Sequence, residues 1–207
     1  MNLRLHSLPR LVLLGLLVAL SACSILPESE PLRIYLLPTT TSPQQAREPA
    51  LQHALRINTP QASRILSSPR IAVVPQGNQI SAYGGARWSD AAPVLLRDRL
   101  IEAFQRDGRM PSVSNEDVNL YADLSLHSDL RAFQSVYIDD KPVVVITLDA
   151  RLVSRNDQHT LANRRFEVRQ PSADPSVESV VEAFGKASDR LSGEILEWTL
   201  SHARKLP

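Results

Sequence analysis

From residue 119 to residue 168 the sequence alternates between apolar and polar side chains, and this period of two dictates more of the fold than any other feature. Leu120, Ala122, Leu124, Leu126 and Leu130 fall on one side; Tyr121, Asp123, Ser125, His127 and Asp129 fall on the other. That pattern predicts a long strand with one wet face over Asn119 to Phe133. Ile138-Asp139-Asp140-Lys141 supplies a turn, after which Val144, Ile146, Leu148, Ala150 and Leu152 alternate with Val145, Thr147, Asp149 and Arg151. Ser154 to His159 turns again, and Leu161 to Val168, bearing Phe166, makes a third strand. Consecutive strands joined by short turns predict an antiparallel meander.

The period then becomes helical. Val177, Val181, Phe184, Ser188, Leu191, Ile195 and Trp198 recur at four- and three-residue steps behind Asp174-Pro175, a cap followed by a first-turn proline. One side of this helix is expected to be buried along its length; an extended coiled coil is the alternative, though the pattern lasts only about three heptads. Gly185 and Gly193 each cost about 1 kcal/mol against Ala inside a helix, so close packing against the sheet or a neighbouring chain is expected there. Upstream, Leu96, Leu100 and Phe104, with Ala92 and Ala103 beside them, predict a helix capped by Asp90, tolerating Pro93 in its first turn and ended by Gly108. Shorter strands precede it. They are Arg33 to Leu37, stopped by Pro38; Gln52 to Asn58, with Leu55 and Ile57 on one face; and Arg70 to Val74. Gln76-Gly77-Asn78 then turns into Gln79 to Tyr83 as a hairpin, and Thr39 to Pro49 reads as a loop. The expected fold class is α/β: a two-layer sandwich whose mixed sheet ends in the antiparallel meander, with two helices packed on one face.

The first residues do not belong to that domain. Arg4 and Arg10 give a positive start, Leu11 to Leu20 an apolar run, and Ser21 and Ala22 small residues before Cys23, the arrangement of a secretory leader. Ten apolar residues are too few to cross a bilayer as a mature helix. Cys23 is the only cysteine, so it has no intramolecular disulfide partner, and Leu20-Ser21-Ala22-Cys23 has the form of a lipobox. Plain secretion is the competing reading. With lipidation, multiple acyl chains on one residue give a stable anchor where a single chain would not. Ser24 is not the Asp of an inner-membrane retention signal, so the outer membrane is the expected site, with the folded part facing the periplasm. The expected organisation is a leader over 1–22, a lipidated cysteine and tether over 23–31, and one domain over 32–207. Removing the leader takes Arg4 and Arg10 from 23 basic residues and none of the 22 acidic ones. A chain so nearly neutral gives no sign of nucleic acid as a partner.

The motifs of the common catalytic classes are missing. There is no G-x-S-x-G, H-E-x-x-H, P-loop or G-x-G-x-x-G, and His53, His127, His159 and His202 lack metal-ligand spacing. Asp139 and Asp140 sit side by side at a hairpin tip, where a solvated turn explains them better than an acid/base pair. Asp123, His127 and Asp129 share one strand face, which a polar outer surface also explains. Tyr83-Gly84-Gly85-Ala86-Arg87-Trp88 is the most distinctive segment. Paired glycines permit unusual backbone angles, and Arg and Trp can stack or bind carboxylates, as a contact loop would require. Alternatively, Trp88 fills the gap between the hairpin and the first helix.

Cys23, Tyr35-Leu36-Leu37-Pro38, Arg70 to Val74, Tyr83 with Arg87-Trp88-Ser89, Pro93, the Leu124 to Phe133 strand and the last helix with Phe184 together resemble the ABC-type transport auxiliary lipoprotein family. The chain looks like the subgroup associated with MCE-domain proteins, the paraquat-inducible intermembrane transport system among them. The resemblance implies a non-enzymatic accessory subunit without cofactor or metal. It would dock an MCE-domain protein of a lipid-moving ABC transporter to the outer membrane, and some relatives assemble as rings. Only Cys23 carries over as a defined functional residue; Tyr83, Arg87 and Trp88 are candidate partner contacts. A lipid-tethered periplasmic hydrolase and a purely structural envelope lipoprotein are the rival expectations.

Overall fold

The chain divides into two compact units, Met1–Pro31 and Leu32–Pro207. The structure, a computed structural model, describes residues 31–39, 50–118 and 120–206. The expected leader, Cys23 and most of the expected tether lie outside the described residues, as does nearly all of the loop expected over Thr39 to Pro49. In the second unit the elements run β1 (Arg33–Tyr35), β2 (Leu55–Ile57), β3 (Gln61–Ala62), β4 (Arg70–Gln76), β5 (Gln79–Trp88), α1 (Ala92–Asp107), β6 (Val113–Ser114), β7 (Leu124–Ile138), β8 (Lys141–Ser154), β9 (Thr160–Pro171) and α2 (Val177–Ala203).

β7 organises the sheet. Along one edge it pairs antiparallel with β8, which pairs antiparallel with β9, giving the expected meander. Along its other edge it pairs in turn with β2, β3 and β4, all parallel. β4 continues into β5 as an antiparallel hairpin, and β1 adds parallel to β5 at the sheet's end. The sheet is therefore mixed, and α1 and α2 pack on it and on each other through one continuous core. The core face reads Leu126 opposite Leu152, Leu130 opposite Leu148 and Phe133 opposite Ile146.

Several local details differ from the sequence expectation. β7 begins at Leu124 rather than Asn119, and Leu120 is exposed. The chain turns at Asp123, because the N–H groups of Asp123 and Leu124 both donate to the Ala54 carbonyl (3.0 Å each) while the Asp123 carboxylate accepts from Ala54 N (2.7 Å). A register shift between Leu130 and Ala132 inserts Arg131, which resets the alternation so that Phe133 shares the core face with Leu130. β5 extends through Gly84-Gly85-Ala86-Arg87-Trp88 as strand, so this segment is not a loop. Gly85 (φ +62°) takes up the irregular register opposite Arg70 to Ala72.

Asp90 does not cap α1. The cap position is Ala91, and the Asp90 carboxylate accepts from Ala91 N (2.6 Å), outside the helix. Pro93 and Gly108 hold their expected places; Gly108 (φ +78°) donates its N–H to the Phe104 carbonyl (3.1 Å). For α2 the cap is Ser176, whose Oγ accepts from Ser179 N (3.2 Å). Asp174 supports it by accepting from Ser176 N and Ser179 Oγ, both at 2.7 Å. α2 buries Val180, Phe184, Ser188, Leu191, Ile195 and Trp198 against β8, β9 and α1 within one chain, so its pattern is not a coiled-coil seam. Gly185 is packed against Pro38 rather than the sheet, and a Cβ at Gly193 would meet nothing within 4 Å among the described residues.

Candidate functional site

The residues that open the second unit are firmly fixed. Arg33 and Tyr35 of β1 both donate to the Glu178 carboxylate at the start of α2, each at 2.6 Å. The Tyr35 hydrogen bond holds Glu178 below the usual carboxylate range and raises the Tyr35 phenol. Two residues on, Arg99 of α1 donates to the Leu37 and Pro38 carbonyls at 2.8 and 2.9 Å and pairs with Asp189 of α2 at 2.5 Å. Both partners of this ion pair are buried. Gly185, one helical turn before Asp189, leaves room for Pro38: an added Cβ would stand 2.6 Å from the Pro38 oxygen. One guanidinium thus ties together α1, α2 and the segment leaving β1, using several of its donors at once. This clamp was absent from the sequence reading. Its signal was a pair of opposite charges, Arg99 beside Leu96, Leu100 and Ala103, and Asp189 beside Ser188, set against the buried flanks of two helices.

Tyr83, Arg87 and Trp88 do not form one surface. Trp88 is 1% exposed, edge-on to Phe184 (5.2 Å between centroids) and Phe133 (6.1 Å), so it is a core residue and no partner can touch it. Phe133 and Phe184 stack at 4.8 Å, completing an aromatic cluster between sheet and α2. Of the two expectations for Trp88, the packing role is the observed one. Tyr83 is half-buried and donates to Ser135 Oγ (3.2 Å); burial pushes its phenol up to about 12. Only Arg87 is exposed.

The uncovered face of the meander carries an arginine–aspartate lattice. Asp149 of β8 accepts from Arg165 of β9 (2.6 and 2.8 Å) and from Arg131 of β7 (2.9 Å), which holds its carboxyl well below the usual range. Asp129 pairs with Arg151 at 3.1 Å. A shallow depression of about 490 Å³ lies here, lined by Arg131, Asp149, Arg151, Asn163 and Arg165 among others.

Acid/base candidates do not converge. Asp139 (φ +49°) and Asp140 (φ +58°) are exposed turn residues. Asp129 is engaged by Arg151 and Asp123 by a backbone amide, while partial burial and the Arg151 and Arg155 charges push His127 below its ordinary pKa. A second pocket of about 570 Å³ gathers His53, Asp123, Ser154 and Asp157. There the Ser154 side chain and the His159 backbone N–H, which donates to Asp157 at 3.2 Å, hold the Asp157 carboxyl below its ordinary range. Among the described residues no group of three or more His, Cys, Asp or Glu is placed to hold a metal, and no helix is long and apolar enough to cross a membrane.

Residues 35–196 match the model of the ABC-type transport auxiliary lipoprotein component. The chain belongs to that family. The crystal structure of a Xanthomonas campestris protein is similar to this auxiliary lipoprotein over 84% of the chain and 98% of its own length, with 31% identity and a TM-score of 0.77. A second crystal structure, of an uncharacterized protein, is similar over 82% and 98% with 16% identity and a TM-score of 0.63, a likeness of fold alone. An uncharacterized protein of Bradyrhizobium diazoefficiens is 29% identical over 151 residues, 72% of this chain. The chain spans 40% of that relative's length. The stretch matched to the auxiliary lipoprotein family contains the clamp residues Tyr35, Pro38, Arg99, Glu178, Gly185 and Asp189, and begins after Cys23.

Proposed function

We propose that this auxiliary lipoprotein is held in the periplasmic leaflet of the outer membrane by acyl chains on Cys23, and from there docks an ABC transport system through that system's MCE-domain protein. One observation carries the reading: a match to the family over residues 35–196, in a chain where Leu20-Ser21-Ala22-Cys23 stands a short tether upstream. The role is accessory, linking a membrane to a transporter, and the domain docks cargo machinery rather than carrying lipid itself. The charged lattice of Asp129, Arg131, Asp149, Arg151 and Arg165 supports docking over carrying, because a lipid chain needs an apolar groove. Arg87 is the one candidate contact left available to a partner, and the family resemblance leaves a homo-oligomeric ring open as one form of assembly.

Affinity capture of the full lipidated chain from detergent-solubilised envelopes tests this. Recovery of an MCE-domain protein with its permease is the expected result; recovery of the lipoprotein alone, with esterase or amidase activity in the preparation, overturns it. Globomycin should leave the precursor unprocessed, and palmitate label should follow the chain unless Cys23 is replaced. Unchanged processing or absent label overturns the anchor.

A further inference from the structure

β1 is an edge strand with two unlike sides. Tyr35 and Leu37 turn inward and pack against the core, whereas Leu32, Ile34 and Leu36 are 53, 57 and 75% exposed. A lone exposed leucine is ordinary, but three in alternation make a continuous apolar strip on a rigid element, since Glu178 and Arg99 fix the segment at both ends. Edge strands are normally protected by charge on the strand itself. Here the strand's own charge, Arg33, pairs with Glu178 on the Tyr35 side, and the outward side is bordered by charge on neighbouring strands instead. Ile34 is in register with Arg87 of β5, and Arg87 with Arg70 of β4. Like charges directly opposite each other on neighbouring strands repel, and neither arginine has an acidic partner among the described residues. An aliphatic strip bordered by two guanidiniums that meet no carboxylate among the described residues fits a boundary that is apolar below and anionic above.

We propose that the outward side of β1 is a bilayer-contact surface, with Leu32, Ile34 and Leu36 entering the headgroup region of an anionic phospholipid membrane while Arg70 and Arg87 take its phosphates. The inference rests on lipidation of Cys23. Positions 23 and 32 are nine residues apart, a span of at most about 30 Å even when fully extended. So short a link keeps the strip at a high local concentration over the membrane that holds the acyl chains, and a weak contact suffices. The domain then lies on the leaflet through its sheet edge instead of hanging freely from its anchor.

The test uses the full lipidated chain in vesicles of phosphatidylethanolamine and phosphatidylglycerol. Because the thioether occupies the sulfur of Cys23, Leu36→Cys provides a single free thiol for an environment-sensitive NBD probe. Leu32→Cys is a second probe on the same side, and Glu182→Cys on the exposed face of α2 is the control. Blue-shifted emission and at least threefold stronger quenching by doxyl lipids are expected at 36 and 32 than at 182. Arg70→Gln with Arg87→Gln should remove most of the dependence on phosphatidylglycerol. Protein that floats with vesicles but shows equal, water-like emission at all three positions overturns the contact surface while leaving the anchor intact. Protein that does not float and carries label on Cys23 itself overturns both. Shielding of the probe at 36 in unlipidated Cys23→Ser chain, without lipid and rising with protein concentration, assigns the strip to a second copy and also overturns the proposal.

Discussion

At Gly185 a Cβ would stand 2.6 Å from the Pro38 carbonyl oxygen and 2.8 Å from its Cγ, whereas at Gly193 it would meet nothing within 4 Å. The same substitution should therefore act with opposite sign on one helix. Gly185→Ala is expected to destabilise by roughly 1–3 kcal/mol through forced displacement of a packed backbone; Gly193→Ala should stabilise by about 0.4–1 kcal/mol. Chemical denaturation of the two variants checks this, and amide exchange at Leu37 should quicken only in the first. Arg99 and Asp189 form a buried pair whose removal from one side strands a charge. Asp189→Ala is expected to cost about 3–5 kcal/mol, and Asp189→Leu combined with Arg99→Met to cost less than the two changes added separately. Additive losses in that double-mutant cycle would mean the pair is not a unit.

At the level of elements, the β7–β8 turn places Asp139 and Asp140 both at positive φ, the arrangement favoured by Asn-Gly. Asp139→Asn with Asp140→Gly should raise stability by roughly 1 kcal/mol and leave the spectrum unchanged; a loss would show that the carboxylates have partners in solution. Asp149 bridges three strands by holding Arg131 of β7 and Arg165 of β9. Its depressed pKa makes the unfolded chain the better proton acceptor in acid, so the stability it contributes is present above the unfolded value near pH 4 and disappears as pH falls further. Asp149→Asn should lower the thermal midpoint at pH 7 and flatten its decline below pH 4. What could be read beforehand divides along the same lines. The meander, both helices and the hairpin showed themselves because period and turn chemistry are local: Leu148, Phe166 and Leu100 each stand in a run that repeats. The placement of Arg99 against Leu37 and Pro38, the Arg131 bulge and the burial of Trp88 depend on which distant elements meet, and no run of neighbouring residues encodes that. The caps went astray by one or two positions for a milder reason, since Asp90 and Asp174 both bond to backbone amides just outside the helices they precede.

Across the whole molecule one core joins Trp88, beside Phe133 and Phe184, to Trp198, which lies edge-on to Phe166. Trp88→Phe and Trp198→Phe variants, each reporting through the remaining indole, should give denaturation midpoints that coincide with the loss of helical signal measured on the same variant. Separate midpoints would divide the domain into independent halves. The shared edge of β7 has a further outcome, for the order in which the parts can assemble. β2, β3 and β4 each find their pairing partner in β7, about sixty residues or more downstream of the hydrogen-bonding positions on each strand, while β7, β8 and β9 are neighbours in sequence. A polypeptide emerging amino end first must therefore keep Leu55 and Ile57 without their β7 partners until Leu124 to Leu126 arrive, and leave the inner edge of the β4–β5 hairpin open until Gln134 to Val136 follow, and through that interval its early strands depend on a holding chaperone or on speed.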